Sequence, residues 1–124
     1  MVRTAPLAAS LGAVLALGLP GAAAAYEGVT DEAAFLALVD GRELSLRLFG
    51  VTLQVLPDGT ISGAALGTAV TGTWTWEDGA FCREMTWGDE PIAYNCQLVE
   101  AEGDSRIRFT TDRGAGESAA FALR

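Results

Sequence analysis

The residues best suited to chemistry or ligand binding are concentrated in one segment, 72–96, which reads GTWTWEDGAFCREMTWGDEPIAYNC. It holds all three tryptophans, both cysteines and an arginine with aromatic neighbours. Aromatic rings stack on apolar ligands, and arginine binds anions and polar groups. We therefore predict a binding site made of Arg83, Trp87, Tyr94, Asn95, Trp74 and Trp76. A structural alternative stays open, in which these rings are the core of a small barrel and Arg83 stacks on a tryptophan or pairs with a carboxylate.

Most routes to catalysis lack the residues they need. The chain has no histidine and no lysine, which removes histidine bases, histidine metal sites, Schiff-base lysines and phosphate-binding P-loops. Carboxylates are plentiful, and two of them at a suitable separation could cleave a glycoside. Most of them lie at predicted turns, however, and no pair stands out. We predict no catalytic residue, no metal site and no cofactor.

The two cysteines and the N-terminus indicate an exported protein. Residues 1–25 are typical of a secretory signal peptide, with Arg3, the apolar run Leu7–Leu19 and the small residues Ala22–Ala25. Cleavage near Ala25 would leave 26–124 as a single β domain, periplasmic or secreted. Cys82 and Cys96 both lie in that part, and an even pair in a small exported domain predicts a disulfide bond.

The charge of the chain restricts its partners. The net charge is −8, and removing Arg3 with the signal peptide makes it −9. Such an acidic surface argues against binding to nucleic acid or to anionic membranes. The apolar run is short and alanine-rich, so we also predict no stable membrane anchor. A basic protein or a small amphipathic ligand remains as the expected partner.

The elements that must position these residues are mostly strands. A short helix is predicted over 31–39, with Thr30 as its N-cap and Gly41 at its end. After it, alternating apolar residues separated by turn residues predict about eight antiparallel strands in a meander that forms a small barrel or sandwich. The predicted strands are 43–48, 51–55, 60–66, 69–76, 80–87, 92–99, 106–111 and 118–123. One helix leaves no room for the crossovers of a Rossmann domain.

The strand register decides which residues share a face. A loop of Pro57, Asp58 and Gly59 predicts that Val55 lies opposite Ile61, and a reversal centred on Asp89 sets Cys82 opposite Cys96. The turn near Gly79 allows two registers. A three-residue loop, which we favour by analogy with the Pro57 hairpin, places both tryptophans on the cysteine face. A two-residue turn at Asp78 and Gly79 sets Trp76 opposite Phe81 and joins both tryptophans to Arg83, Met85 and Trp87 instead.

Several sequence blocks carry a family resemblance. VLPDGTISG, VTGTWTWEDGAFCREMTWG, YNCQLVE and FTTDRGAG resemble a family of small exported alphaproteobacterial proteins of unknown function, often labelled dihydrodipicolinate reductase. A reductase of that name resembles a Rossmann enzyme that binds NAD(P)H, with a glycine-rich fingerprint, a histidine-rich substrate motif and a catalytic lysine. Gly12 and Gly18 lie in the predicted signal peptide, and histidine and lysine are absent, so the residues do not support that label.

The sequence as a whole predicts a non-catalytic binding protein of the periplasm or the exterior. Its ligand would be a basic protein or a small amphipathic molecule, bound near Arg83 and Trp87. The alternative is a carboxylate-dependent hydrolase acting on cell-wall glycan. A structural envelope protein without a ligand is a third possibility, and no feature of the sequence supports it directly.

Overall fold

The structure, a computed structural model, describes residues 25–124, so the predicted signal peptide lies outside the described residues except for Ala25. The described part is mostly β, with a single α-helix, α1 (Glu32–Val39). Its strands are β1 (Glu27–Gly28), β2 (Leu44–Leu46), β3 (Val51–Val55), β4 (Thr60–Ala65), β5 (Thr68–Glu77), β6 (Ala80–Trp87), β7 (Glu90–Glu102), β8 (Arg106–Thr110) and β9 (Ser118–Leu123).

Strands β2 to β9 form a closed eight-stranded antiparallel barrel. Each strand pairs with the next along the chain, and β9 returns to pair with β2 through Leu44 opposite Leu123. Closure removes the free sheet edges that an open meander would expose. The predicted meander of eight strands is therefore confirmed. Of the two predicted architectures, barrel and sandwich, the structure has the barrel. The short strand β1, which was not predicted, adds to the far half of β7.

The helix closes one end of the barrel. It begins one residue later than predicted, because the side chain of Asp31, and not that of Thr30, accepts a hydrogen bond from the amide of Ala34 at 3.2 Å. It ends before Gly41, whose φ of 73° suits the left-handed conformation expected there. The fully buried ring of Phe35 packs on the rings of Trp74, Trp76, Phe81 and Phe109, with centroids 5.0–6.4 Å away.

The β5–β6 turn has the register that we did not favour. Trp76 pairs with Phe81 and Trp74 with Arg83, so Asp78 and Gly79 form a two-residue turn. Both have positive φ, 50° and 76°. Turns with two left-handed residues match the twist of the flanking strands, which explains why this register prevails over the three-residue loop. Both tryptophans therefore lie on the inner face with Arg83, and the disulfide lies on the outer face.

The other two register predictions are confirmed, although the pairing of the cysteines depends on a β-bulge that was not predicted. Val55 lies opposite Ile61, and Cys82 lies opposite Cys96, to which it is bonded. At the β6–β7 turn, however, Trp87 pairs with Glu90, which alone would misalign the cysteines by one residue. A β-bulge corrects the alignment, because two residues of β7, 93 and 94, lie opposite one residue of β6.

Candidate functional site

The inner face of β6 carries Arg83 into the barrel. Side chains alternate across a strand, so Phe81, Arg83 and Met85 point inward while Cys82 points outward. On the neighbouring strand β7, Gln97 lies opposite Phe81 and shares that inward face. An arginine and a glutamine thus enter an interior that is otherwise built from apolar side chains.

A cavity lies in front of these two polar residues. Its volume is about 130 Å³, close to that of an engineered cavity of about 150 Å³ that admits benzene. Apart from Arg83 and Gln97, every lining residue is apolar. The lining residues are Leu44, Leu53, Val55, Ile61, Phe81, Arg83, Met85, Gln97, Phe109, Ala119 and Phe121.

Arg83 is a buried cation that has no carboxylate partner among the residues that the structure describes. Only 9% of the residue is exposed, and its Nη1 donates one hydrogen bond of 2.6 Å to the carbonyl oxygen of Ala93. The single salt bridge among residues 25–124 joins Arg108 to Glu100 and does not involve it. Burial lowers the pKa of the Arg83 guanidinium, since desolvation disfavours the charged form. Arginine nevertheless keeps its proton, so the site holds a positive charge that lacks an opposite charge.

An apolar groove lies beside the cavity, at the open end of the barrel. The groove has a volume of about 310 Å³ and is lined by Val51, Leu53, Ala65, Leu66, Val70, Met85, Trp87 and Ile92. Leu53 and Met85 line the cavity as well, so the two spaces are adjacent at these side chains. Trp87 is held in the groove wall by a hydrogen bond of 2.8 Å from its Nε1 to the carbonyl oxygen of Ala65.

The two other tryptophans lie at the closed end. Trp74 is buried, and its Nε1 donates a hydrogen bond of 2.8 Å to the carbonyl oxygen of Leu56. Trp76 is half-buried and packs on the ring of Phe35. Neither residue lines the cavity or the groove. Of the six predicted binding residues, the structure thus places Arg83 at the cavity and Trp87 at the adjacent groove, and it uses Trp74 and Trp76 in the packed core.

Tyr94 lies on the outer wall. It is exposed, its hydroxyl donates a hydrogen bond of 3.1 Å to Oε2 of Glu77, and its oxygen lies 3.3 Å from Sγ of Cys96. The hydrogen bond from Thr75, and to a smaller extent the one from Tyr94, holds the pKa of Glu77 below its usual value. The hydrogen bond to this carboxylate raises the pKa of Tyr94. The tyrosine therefore faces away from the cavity.

Asn95 fixes the loop between β8 and β9. Its Nδ2 donates to Oδ1 of Asp112 at 2.8 Å, and its Oδ1 accepts from the amide of Asp112 at 3.0 Å. The next residue of the loop, Arg113, donates to the carbonyl oxygens of Glu77 and Asp78. Asn95 thus anchors the 112–114 turn against β7.

Sequence reasoning missed Gln97 and the apolar lining contributed by distant strands. Gln97 follows Asn95 by two positions and lies opposite Phe81, so the pattern would have indicated it once Phe81 was known to face inward. The register of the Asp78–Gly79 turn was the missing signal. Phe121 and Leu44 reach the cavity only because β9 closes on β2, which periodicity along the chain does not reveal.

Comparisons with known protein families, with curated proteins and with solved structures find no match to this chain. The resemblance to small exported proteins therefore stays a prediction. Among residues 25–124, no helix has the length and apolar character needed to cross a membrane.

Proposed function

We propose that this protein binds a small amphipathic anion inside the barrel without transforming it. The anionic group would lie at Arg83 and Gln97, and the apolar part would fill the cavity and extend into the groove that contains Trp87. The observation that carries the proposal is a buried arginine, without a carboxylate partner in the described structure, at an apolar cavity that opens toward solvent. An anionic ligand would supply the missing opposite charge, and its apolar part would be buried against the apolar side chains of the lining.

Neither alternative receives comparable support. The cavity lining contains no aspartate and no glutamate, whereas a glycan hydrolase needs a pair of carboxylates at its reacting centre. A basic protein partner rests on the net charge alone. The disulfide is compatible with an oxidising compartment, and a periplasmic or secreted location is part of the proposal.

Isothermal titration calorimetry with matched probes tests the proposal. Decanoate and decanol have the same chain and differ in the head group, so the ratio of their dissociation constants isolates the contribution of the anion. One hydrogen bond to a charged group is worth about 1.5–3 kcal/mol, which predicts a preference for decanoate of about 10- to 100-fold. Shorter carboxylates of the same series report how far the chain reaches.

Two variants separate the site from the rest of the barrel. Arg83→Met removes the charge and keeps an unbranched apolar side chain, so we expect decanoate and decanol to bind equally. Arg106→Met removes an exposed positive charge outside the cavity and should keep the preference. Equal affinities of the wild-type protein for both probes, or no binding of either, would overturn the proposal.

A further inference from the structure

The open end of the barrel carries three exposed apolar side chains. Leu48 and Phe49 lie in the single-turn 3-10 helix Arg47–Phe49 between β2 and β3, and Leu66 lies in the turn between β4 and β5. Their exposed fractions are 83%, 54% and 65%. The amide of Leu66 donates a hydrogen bond of 3.3 Å to the carbonyl oxygen of Gly50, which holds the two turns side by side. We call Leu48, Phe49 and Leu66 the apolar rim.

Leu66 has a backbone conformation that is unfavourable for leucine. Its φ is 52°, and Gly67 after it has a φ of 79°. Two-residue turns of this kind prefer asparagine, aspartate or glycine at the first position, because a larger side chain crowds the left-handed backbone. A leucine held there, with its side chain in solvent, is both strained and exposed. Such strain is concentrated at functional positions.

One residue of the apolar rim, Leu66, also belongs to the groove beside the cavity. Leu66 lines this groove together with Trp87, and the groove and the cavity share Leu53 and Met85 as lining residues. Apolar side chains therefore extend from the β4–β5 turn, past Leu53 and Met85, to the cavity that Arg83 lines. A ligand that followed this path would leave the barrel between the rim residues.

The size and charge of the rim favour a lipid surface over a second copy of the chain. A stable protein interface buries about 800 Å² on each partner, far more than three side chains on two turns offer. Single apolar side chains at protruding turns suit insertion into the boundary of a bilayer, where the adjacent Arg47 can extend its charge to the head groups. The net charge, −8 for the full chain and −9 after the predicted cleavage, opposes anionic lipids and favours a zwitterionic surface.

We infer that the apolar rim docks reversibly on a zwitterionic lipid surface, with the mouth of the barrel facing the lipid. The bound amphipathic anion then passes between the bilayer and the cavity without crossing water. The passage of ligand rests on the proposed function, whereas the docking itself does not.

Flotation with phosphatidylcholine vesicles tests the docking. The wild-type protein is expected to float with the vesicles, and the double variant Leu48→Ser/Phe49→Ser to partition at least tenfold less. Leu66→Asn should lower partitioning about threefold and keep or raise the melting temperature, because asparagine tolerates a positive φ. Tyr94→Ser removes a comparably exposed aromatic ring from the outer wall and is the matched control, with no expected change.

Each contrary result has a defined meaning. Absence of wild-type protein from the floated fraction, or equal partitioning of all variants, overturns the inference. A loss in Tyr94→Ser as large as that in the double variant also overturns it, because the effect would not belong to the rim. A concentration-dependent dimer in sedimentation velocity that the double variant abolishes would assign the rim to a second copy instead.

The lipid docking and the ligand site can be refuted independently of each other. Decanoate titration in solution involves no vesicles, so binding of decanoate without flotation would remove the docking and leave the proposed function intact. Flotation without decanoate binding would do the reverse. Vesicles containing anionic phosphatidylglycerol provide a further check, since the acidic protein should bind them more weakly than phosphatidylcholine alone.

Discussion

Replacing Arg83 by methionine should stabilise the folded protein while it removes the anion site. Only 9% of Arg83 is exposed, and the residue has no carboxylate partner among the described residues. Methionine keeps an unbranched side chain that can follow the same path beside Met85 and Phe81. The change therefore tests whether the arginine is present for the fold or for a ligand.

The expected magnitude follows from two opposing contributions. The variant loses the charged hydrogen bond to the carbonyl oxygen of Ala93, and leaving that oxygen without a donor costs about 1–3 kcal/mol. It also removes a buried charge, whose desolvation costs several kcal/mol, and apolar replacement of buried ionic groups is often stabilising by about 1–4 kcal/mol. We expect the free energy of unfolding to rise by about 1 kcal/mol, which raises the melting temperature by about 4–8 °C in a domain of this size.

Urea denaturation followed by tryptophan fluorescence measures this change. Arg106→Met is the control, because it removes the same charge from an exposed position, where substitutions change the free energy of unfolding by about 0.5 kcal/mol or less. A loss of more than about 2 kcal/mol in Arg83→Met would refute the reasoning. It would mean that the arginine stabilises the strand through Ala93 and that its burial is not evidence of a ligand.

Three further predictions concern the scaffold around the site. Replacing both Cys82 and Cys96 by alanine should lower the free energy of unfolding by about 3 kcal/mol, as expected for a loop with a sequence separation of 14, and an unchanged urea midpoint would contradict this. Phe35→Ala should cost about 3–5 kcal/mol, measured by thermal unfolding, because the ring is fully buried among four others; a cost below about 1 kcal/mol would mean that the helix does not close the barrel. Tyr94→Phe should raise the pKa of Glu77 toward 4.5 in a carboxyl NMR titration. The folded-state pKa of this carboxyl is lowered, so its contribution to stability is present above 4.5 and is lost as the pH falls through the folded value. The variant should lose less stability over that pH range, and an unmoved pKa would show that Tyr94 does not contribute to the lowering.

The sequence predicted the general architecture because its signals are local. Alternation of apolar residues and turn residues between them identified the strands, and the pairing of Val55 with Ile61 follows from one short loop. The pairing of Cys82 with Cys96 was also correct, although a bulge near Ala93 compensates for a turn shorter than expected. The turn is one residue shorter than predicted, and a bulge that the sequence analysis did not predict restores the alignment.

The candidate site depended on information that is not local. One residue in the length of the turn at Asp78 and Gly79 decides whether Arg83 faces the interior or the solvent, and both lengths are compatible with the sequence. The cavity depends on how side chains from strands far apart in the chain fill the barrel, as Phe121 and Leu44 illustrate. An incompletely filled interior is a property of packing in three dimensions, and periodicity contains no measure of it.

The two ends of the barrel have different roles. The end closed by the helix contributes to stability, the open end contains the space for a ligand, and the bulge in β7 lies beside Arg83. The closed end is packed with the ring of Phe35, so the open end can leave space unfilled without unfolding the barrel. A bulge removes one residue from the hydrogen-bonded ladder, and here the carbonyl oxygen of Ala93 accepts a hydrogen bond from Nη1 of Arg83. The adjacent disulfide holds β6 to β7 beside this bulge. Among residues 25–124, Arg83 donates to one acceptor, the carbonyl oxygen of Ala93, and its other N–H groups can bind an anionic group in the cavity.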